Sequence, residues 1–391
     1  MTQEDKKHSR EIYKLSTEEQ GKLIEKLSQR NDTEAERIKH YLAMPDLSRT
    51  QDSPLNDMVT RILSQDEFKD FDIIEFPEVV PTDIAFDLFD FPANHPARSK
   101  SDTYYLDDKN ILRTHTTVMW YYYLQEKEIK ERMANGESVG CFSHGKVYRK
   151  DEIDRNHMNV FHQLDGWYLS PKSKEVIGKE ELQKVLLSIV QAVFGADVKY
   201  RFAPEQFPFT DPSIEVEIEK DGKWVEIVGS GVVKGSVLEK FGIDSSAWTG
   251  WAFGFGLERL AIVSMELPDI RLLWSSDERV KKQLHLGQKF KQVSKFPPVV
   301  RDISFVVNVG DFVLNDYFDA IRRVGGDLIE EVELVDKYEN ANKFGEGKIS
   351  YTFRITYRHL DKTLTNEEVN ELHAGIEKMT TENFGGVIRL A

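Results

Sequence analysis

The 391-residue chain holds a single cysteine, Cys141, so it has no internal disulfide and no thiolate set for a zinc site, which fits a reducing compartment. No apolar run approaches the roughly 18 residues that a membrane span needs, which excludes an integral helical membrane protein. Neither a GxGxxG fingerprint nor a lysine-bearing phosphate loop occurs, and this argues against a doubly wound nucleotide fold. Basic residues are also scarce. The 52 Lys and Arg face 67 Asp and Glu for a net charge of −15, so any contact with nucleic acid has to be local. The opening MTQEDKKHSREIYKLSTEEQ lacks the apolar core of a secretory leader and mixes acids with bases, unlike a transit peptide. The expectation is a cytoplasmic protein, with a mitochondrial matrix protein whose presequence is missing as the alternative.

What is present divides into three segments. Residues 1–50 read as a polar helical arm, with Ser16 and Glu19 as a capping box and a second helix over DTEAERIKHYL that ends at Pro45. Residues 51–290 mix a helix at LNDMVTRIL and another at EELQKVLLSIVQAVFG with short strands. Those strands fall at FDIIEFPEVV, VGCFSHGKVYR, VFHQLDGWYLS and SIEVEIEKDGKWVEIVGSGVV, where Asp221-Gly222 turns a hairpin. Hairpin-joined neighbours predict an antiparallel sheet flanked by helices, an α+β fold. After a linker at KFPPVV, residues 296–391 run strand, helix, strand, strand, helix, with room for a last strand at VIRLA. That order is ferredoxin-like.

The chemistry concentrates in a few stretches. In GWAFGFGLERLAIV, Arg259 sits in an otherwise apolar helix behind Gly254 and Gly256, and such a cation needs either a carboxylate, for which Glu258 is the neighbour at hand, or an anionic ligand. Arg149 ends a strand whose returning partner carries Phe161, His162, Gln163 and Asp165, a hairpin suited to phosphate and to a planar base. His157 and His162 have no third ligand at a metal spacing and read as hydrogen-bonding groups. Phe207 and Phe209, two apart on an extended segment, place two rings side by side, either as core or as the wall of an aromatic ligand site.

Taken together these stretches resemble a known family. VYRKD with Arg149, VEIVGSG, and GFGLER with Arg259 resemble motifs 2 and 3 of class II aminoacyl-tRNA synthetases, and FDIIEFPEVV resembles motif 1. More narrowly, FDFPANHPARSKSDTYYL, LRTHTTV, FHQLDG, FPFTDPS and GWAFGFGLERL resemble the phenylalanyl-tRNA synthetases. KFPPVVRDISF, GGDLIEEVELVDKY and FRITYRHLDKTLTNEEVNELH resemble that family's ferredoxin-fold anticodon-binding domain. The resemblance runs from about residue 55 to the end. It implies a class II catalytic domain over 51–290 and an anticodon-binding domain over 296–391. Both modules lie on one chain, as in the mitochondrial form, which implies a monomer with no separate beta subunit.

The resemblance also implies a reaction: ATP activates phenylalanine to its adenylate, which then charges tRNA(Phe). Arg149 and Arg259 would hold the α- and γ-phosphates, His157 and Asn156 would support the nucleotide, and Phe161 would stack on adenine. Gly254 and Gly256 would give the adenylate room. Glu226 would bind the ATP-bridging magnesium, with Asp211 a second candidate. Phe207 and Phe209 would pack on the phenyl ring above a floor at Ala252 and Phe253. His115, Thr117, Gln163 and Asp165 would hold the amine and carboxylate. Thr117 stands where serine is usual and Asp165 where glutamate is usual; each keeps its functional group and changes its reach. The alternative, a synthetase-like RNA-binding or regulatory protein without catalysis, is opposed by the presence of Arg149, Glu226 and Arg259. Residues 296–391 carry 11 Lys and Arg against 17 Asp and Glu, a net of −6, so tRNA would meet a local patch. Arg322 and Arg323 on a helix and Arg354 and Arg358 on one strand face are the candidates. The last two would either bind tRNA or pair with neighbouring acids.

Overall fold

The computed structural model describes residues 9–150, 154–310 and 312–389. The first eight residues of the expected arm, three residues of the Arg149 hairpin loop and the last two of VIRLA lie outside them. The chain forms two compact units, residues 1–290 and 291–391.

In chain order the first unit contains the strands β1 (Ile12–Lys14), β2 (Asp72–Glu75), β3 (Val79–Pro81), β4 (Asn110–Leu112), β5 (Val139–Tyr148) and β6 (Val160–Pro171). After these come β7 (Tyr200–Phe207), β8 (Thr210–Lys220), β9 (Lys223–Val233) and β10 (Trp248–Gly256). Eight of them make one sheet in the order β1-β2-β5-β6-β10-β9-β8-β7, while β3 and β4 pair separately. All pairings in the large sheet are antiparallel except β1 with β2 and β2 with β5. The β8–β9 hairpin turns at Asp221 and Gly222, both at positive φ, as a two-residue turn requires.

Sequence pattern explains the layer behind the sheet. Helix Pro54–Leu63 starts at a Ser53 cap with proline in its first turn, and buries Leu55, Met58, Val59 and Ile62 at helical spacing. Helix Lys179–Phe194 buries Leu182, Val185, Leu186, Ile189, Val190 and Val193. With helix Leu257–Met265 these pack against one another and against β6, β8 and β9.

Two expectations for the N-terminal arm need correction. Thr17, not Ser16, caps helix Glu18–Ser28, its side chain accepting from the Gln20 N–H. The arm is also not wholly helical: Ile12–Lys14 adds a parallel edge strand to the large sheet. Arg10 latches that strand, donating to the carbonyls of Leu63, Phe68 and Phe71. A three-residue strand carries no readable alternation, so nothing in its sequence announced it.

The second unit contains β11 (Val299–Asn308), β12 (Ile329–Glu339), β13 (Lys348–Tyr357) and β14 (Val387–Ile388), in the sheet order β12-β13-β11-β14. Helices Leu314–Gly325 and Asn366–Phe384 pack on one face over Ile303, Phe305, Tyr317, Ile321, Phe353, Ile355, Tyr357 and Ile376.

Candidate active site

Register decides what the sheet presents. Asp165 on β6 lies opposite Gly254 on β10, Gly254 opposite Gly229 on β9, and Gly229 opposite Glu215 on β8, so these four share one face. One row away, Ala252 lies opposite Gly231. The floor is paved with small residues because other groups lie across it. A Cβ at Gly254 would sit 2.4 Å from Oδ1 of Asp165, and one at Gly229 would sit 2.5 Å from the Phe207 ring. Among the described residues, a Cβ at Gly256 would meet nothing nearer than the His162 carbonyl oxygen at 4.0 Å, and Gly256 opens on a cavity.

That cavity, about 540 Å³, is lined by Arg149, Asn156, His157, Phe161, Gln163, Gly256, Glu258 and Arg259 together with apolar side chains. All eight were singled out from the sequence, Glu258 only as a possible partner for Arg259. The Arg149 guanidinium lies over the Phe161 ring at 5.2 Å, and its Nε donates to the Thr114 carbonyl at 3.2 Å. His157 is exposed and meets Asp154 through Nδ1 at 3.0 Å. Arg259 is no buried cation: its side chain is 55% exposed and stands 3.5 Å from Glu226. Glu258, its expected partner, is 3% exposed and is taken by His162 instead. Helical spacing explains the split, since adjacent residues point about 100° apart.

Glu226 reaches the cavity face through a bulge. Ile227 is an extra residue in the β8–β9 ladder, so Glu226 pairs with Glu217 and Ile227 and Val228 are both buried. Glu215, on the same face, has its carboxyl pushed up by burial and then by the charges of Glu226, Glu205 and Glu217, against the pull of Arg259. Glu215 alternates with Val216 and so reads in the sequence as part of an ordinary solvent face, with no sign of this role. Asp211 is not part of this group. Six residues of strand separate it from Glu217, the ladder partner of Glu226, or about 20 Å of extended chain.

Beside the glycine floor lies a polar cluster. Thr117 Oγ1 donates to Asp165 Oδ2 at 2.6 Å, and the Thr116 N–H donates to Gln163 at 3.2 Å. His115 Nε2 meets the Ala85 carbonyl at 3.0 Å, with its ring stacked on Phe91 at 5.7 Å. Among the described residues, Asp165 Oδ1 and His115 Nδ1 are buried without a hydrogen-bond partner. Burial raises the Asp165 carboxyl to about 6 in spite of Thr117 and Thr116, and burial followed by Arg149 lowers His115 to about 4. Phe207 and Phe209 stack at 6.2 Å, but across the tight reversal between β7 and β8 rather than along one extended segment. Phe209 also meets Phe89 and Trp120 edge-on.

Phe253 does not belong to this face. Strand alternation turns it away from Ala252 and Gly254, and it packs on Phe68, Phe142, Trp251 and Phe255.

In the second unit, Arg322 and Arg323 are exposed on helix Leu314–Gly325. Arg354 makes a bidentate pair with Asp302 at 2.9 Å, and Arg358 pairs with Glu330 at 2.8 Å and bonds the Phe296 carbonyl. Of the two readings left open for Arg354 and Arg358, the structure shows pairing with acids. Both lie beside acidic neighbours on an acidic domain.

An antiparallel sheet with a cavity flanked by two arginines is the core of a class II synthetase, and the family model described as the tRNA synthetase class II core domain (F) matches residues 40–284. The ferredoxin-fold anticodon binding domain matches residues 294–389. The chain is 37% identical to the mitochondrial phenylalanine–tRNA ligase of Mus musculus over 80% of its length and 74% of that protein. It is 39% identical to the chloroplastic/mitochondrial enzyme of Arabidopsis thaliana over 76% and 68%, and 32% identical to the mitochondrial enzyme of Saccharomyces cerevisiae over 81% and 83%. The chain belongs to the phenylalanine–tRNA ligase family of class II aminoacyl-tRNA synthetases. The names of these relatives give no support to the expected cytoplasmic location. Among the described residues no helix is long and apolar enough to cross a membrane.

Proposed function

We propose that this chain is an ATP-dependent ligase that activates phenylalanine and transfers it to tRNA(Phe). The observation that carries the reading is the pair of partnerless buried atoms, Asp165 Oδ1 and His115 Nδ1, beside a cavity flanked by Arg149 and Arg259. Buried polar atoms without partners are costly, and an amino acid's ammonium and carboxylate are groups that would relieve them. Asp165 takes the ammonium. Phe207, whose ring covers Gly229, and Phe209 flank the phenyl ring, with Ala252 in the floor beside them.

The carboxylate of phenylalanine attacks the α-phosphorus of ATP, a new C–O–P bond forms, and pyrophosphate leaves. Arg149 and Arg259 hold the two ends of the triphosphate and balance the charge that develops between them. A hydroxyl of the terminal ribose of tRNA, the 2′-hydroxyl by family resemblance, then attacks the carbonyl and AMP leaves. Glu226, with Glu215 behind it, would hold magnesium; carboxylate oxygens suit that cation, and the excess negative charge at Glu215 leaves the pair ready for one. Bound there, magnesium would neutralise phosphate charge. Arg259 exchanges Glu226 for phosphate when ATP enters. Arg322 and Arg323, exposed on their helix, are the better placed of the four arginines to meet tRNA phosphates. A mitochondrial location, the one printed in the names of these relatives, is the location this reading adopts.

ATP–pyrophosphate exchange measured with each amino acid tests the reading. Exchange should depend on phenylalanine, with tyrosine discriminated by roughly 100-fold, as in an apolar pocket facing an added hydroxyl. Arg259→Ala should abolish exchange and leave the fold intact. Normal exchange by that variant would overturn the role of Arg259, and no phenylalanine-dependent exchange in the parent would overturn the ligase reading.

A further inference from the structure

Two buried polar groups meet at the wall of the ATP cavity, Glu258 in the wall and His162 behind it. The ladder between β6 and β10 ends at Gln163 and Gly256, where β10 gives way to helix Leu257–Met265. The next N–H along β6, that of His162, therefore has no strand to bond. The carboxylate of Glu258, from the first turn of that helix, accepts it at 3.0 and 2.9 Å, and also meets the His162 ring at Nδ1 at 2.6 Å. Both side chains are buried. The other ring nitrogen accepts the Leu47 N–H at 2.9 Å, with Asp46 3.5 Å away. That bond fixes the tautomer, with the proton on Nδ1 and aimed at Glu258. Asp46 is held in turn by Ser48, which also reaches His144.

The residues on either side of this link matter. Phe161 and Gln163 flank His162, Arg259 follows Glu258, and all three line the cavity. Arg259 itself is half exposed, and its ion pair with Glu226, at 3.5 Å, is too loose to set its position. The stiff connection between the arginine's helix and the opposite wall is the buried carboxylate and its imidazole.

We infer that Glu258 and His162 are positioning residues for ATP, fixing the separation between Arg259 and the wall that carries Phe161 and Arg149. The inference rests on the ligase reading for the identity of the ligand. His162 stands behind the cavity lining; Glu258 is part of that lining, but both its carboxylate oxygens are taken up by the His162 N–H and ring, so the pair acts on ATP through Arg259.

Two substitutions of one residue separate positioning from mere anchoring of the segment at Leu47. His162→Asn keeps an amide donor near the Nδ1 position and loses the acceptor for Leu47. His162→Gln keeps an acceptor near Nε2 and withdraws the donor from Glu258. Phenylalanine-dependent exchange gives KM for ATP and for phenylalanine, calorimetry gives ATP affinity, and thermal unfolding reports the fold. His162→Gln and Glu258→Gln should each raise KM and Kd for ATP by about ten-fold or more, since small misplacements of a binding group cost on that order. KM for phenylalanine should stay within about two-fold, and His162→Asn should bind ATP nearly as the parent does. Equal losses in His162→Asn and His162→Gln, or a KM for phenylalanine that rises in step with that for ATP, would overturn the inference. If the His162 variants do not fold, Glu258→Gln set against Asp46→Asn decides it, the latter leaving the Glu258 link whole and ATP affinity unchanged. If the parent shows no exchange, the ligase reading falls, and the calorimetric comparison with ATP alone still decides the positioning role.

Discussion

Asp165→Asn should make the protein more stable and less able to bind its amino acid. The carboxyl is fully buried, hydrogen-bonded on one oxygen by Thr117 and partnerless on the other, and burial lifts it to about 6. An unfolded chain holds an aspartate near its ordinary value of about 3.9. The folded state therefore binds the proton more tightly, so this group's stabilising contribution is complete below about pH 4 and disappears as pH rises to about 6. A rise from about 3.9 to about 6 corresponds to about 3 kcal/mol lost from the ligand-free protein at pH 7. Asparagine keeps an oxygen for Thr117 and has no charge to bury, so it should recover a large part of that. Chemical unfolding of the ligand-free protein at about pH 7.5 and again near pH 4 measures the effect; the variant's advantage should be present at the first and nearly gone at the second. Phenylalanine should then bind the variant about 100-fold more weakly, the loss expected when an ammonium gives up a buried carboxylate. In the parent, phenylalanine affinity should fall as pH drops through about 6, where Asp165 takes its proton. A variant no more stable than the parent at the higher pH would refute the reasoning, as would phenylalanine affinity insensitive to the substitution.

Gly254→Ala places a methyl 2.4 Å from Asp165 Oδ1 and should weaken phenylalanine binding at least ten-fold, an overpacking effect of about 1–3 kcal/mol. Gly256→Ala, with its nearest neighbour at 4.0 Å, should spare phenylalanine and weaken ATP instead, and titration with each ligand separately distinguishes the two. Charge reversal of Arg322 and Arg323 should raise the KM for tRNA and flatten its salt dependence without changing amino-acid activation. The same reversal at Arg354 and Arg358 should lower the melting temperature of the second unit, where each faces an acid already, and should change the tRNA constant less.

Periodicity carried most of the fold into the sequence. The strands at Val139–Tyr148 and Val160–Pro171 and the turn at Asp221-Gly222 were legible because alternation and turn chemistry are local properties. Ile12–Lys14 was not, since an edge strand of three residues is made by its partner and by the Arg10 latch. The cavity residues were legible through motifs, whose spacing encodes chemistry directly. What motifs conceal is orientation. Phe253 sits inside a recognised stretch yet faces the opposite way, Asp211 is close to Phe209 in sequence and far from Glu226 in space, and Glu258 stands next to Arg259 without pairing with it. Each of those depends on strand or helix phase combined with a partner many residues distant. The His162–Glu258 link spans 96 positions, and no local pattern reports it.

The extra residue at Ile227 has a consequence for how such a site is acquired or lost. Side chains in a strand alternate, so without the insertion position 226 would face the helices and its acid would be buried among apolar groups. No point substitution moves a side chain through the sheet. A chain lacking the bulge can gain an acid on this face at another position, but it reaches this arrangement only by lengthening β9 by one residue, and a single-codon deletion would undo it. The contact between Glu226 and Arg259 therefore depends on that extra residue, because it sets the phase of β9.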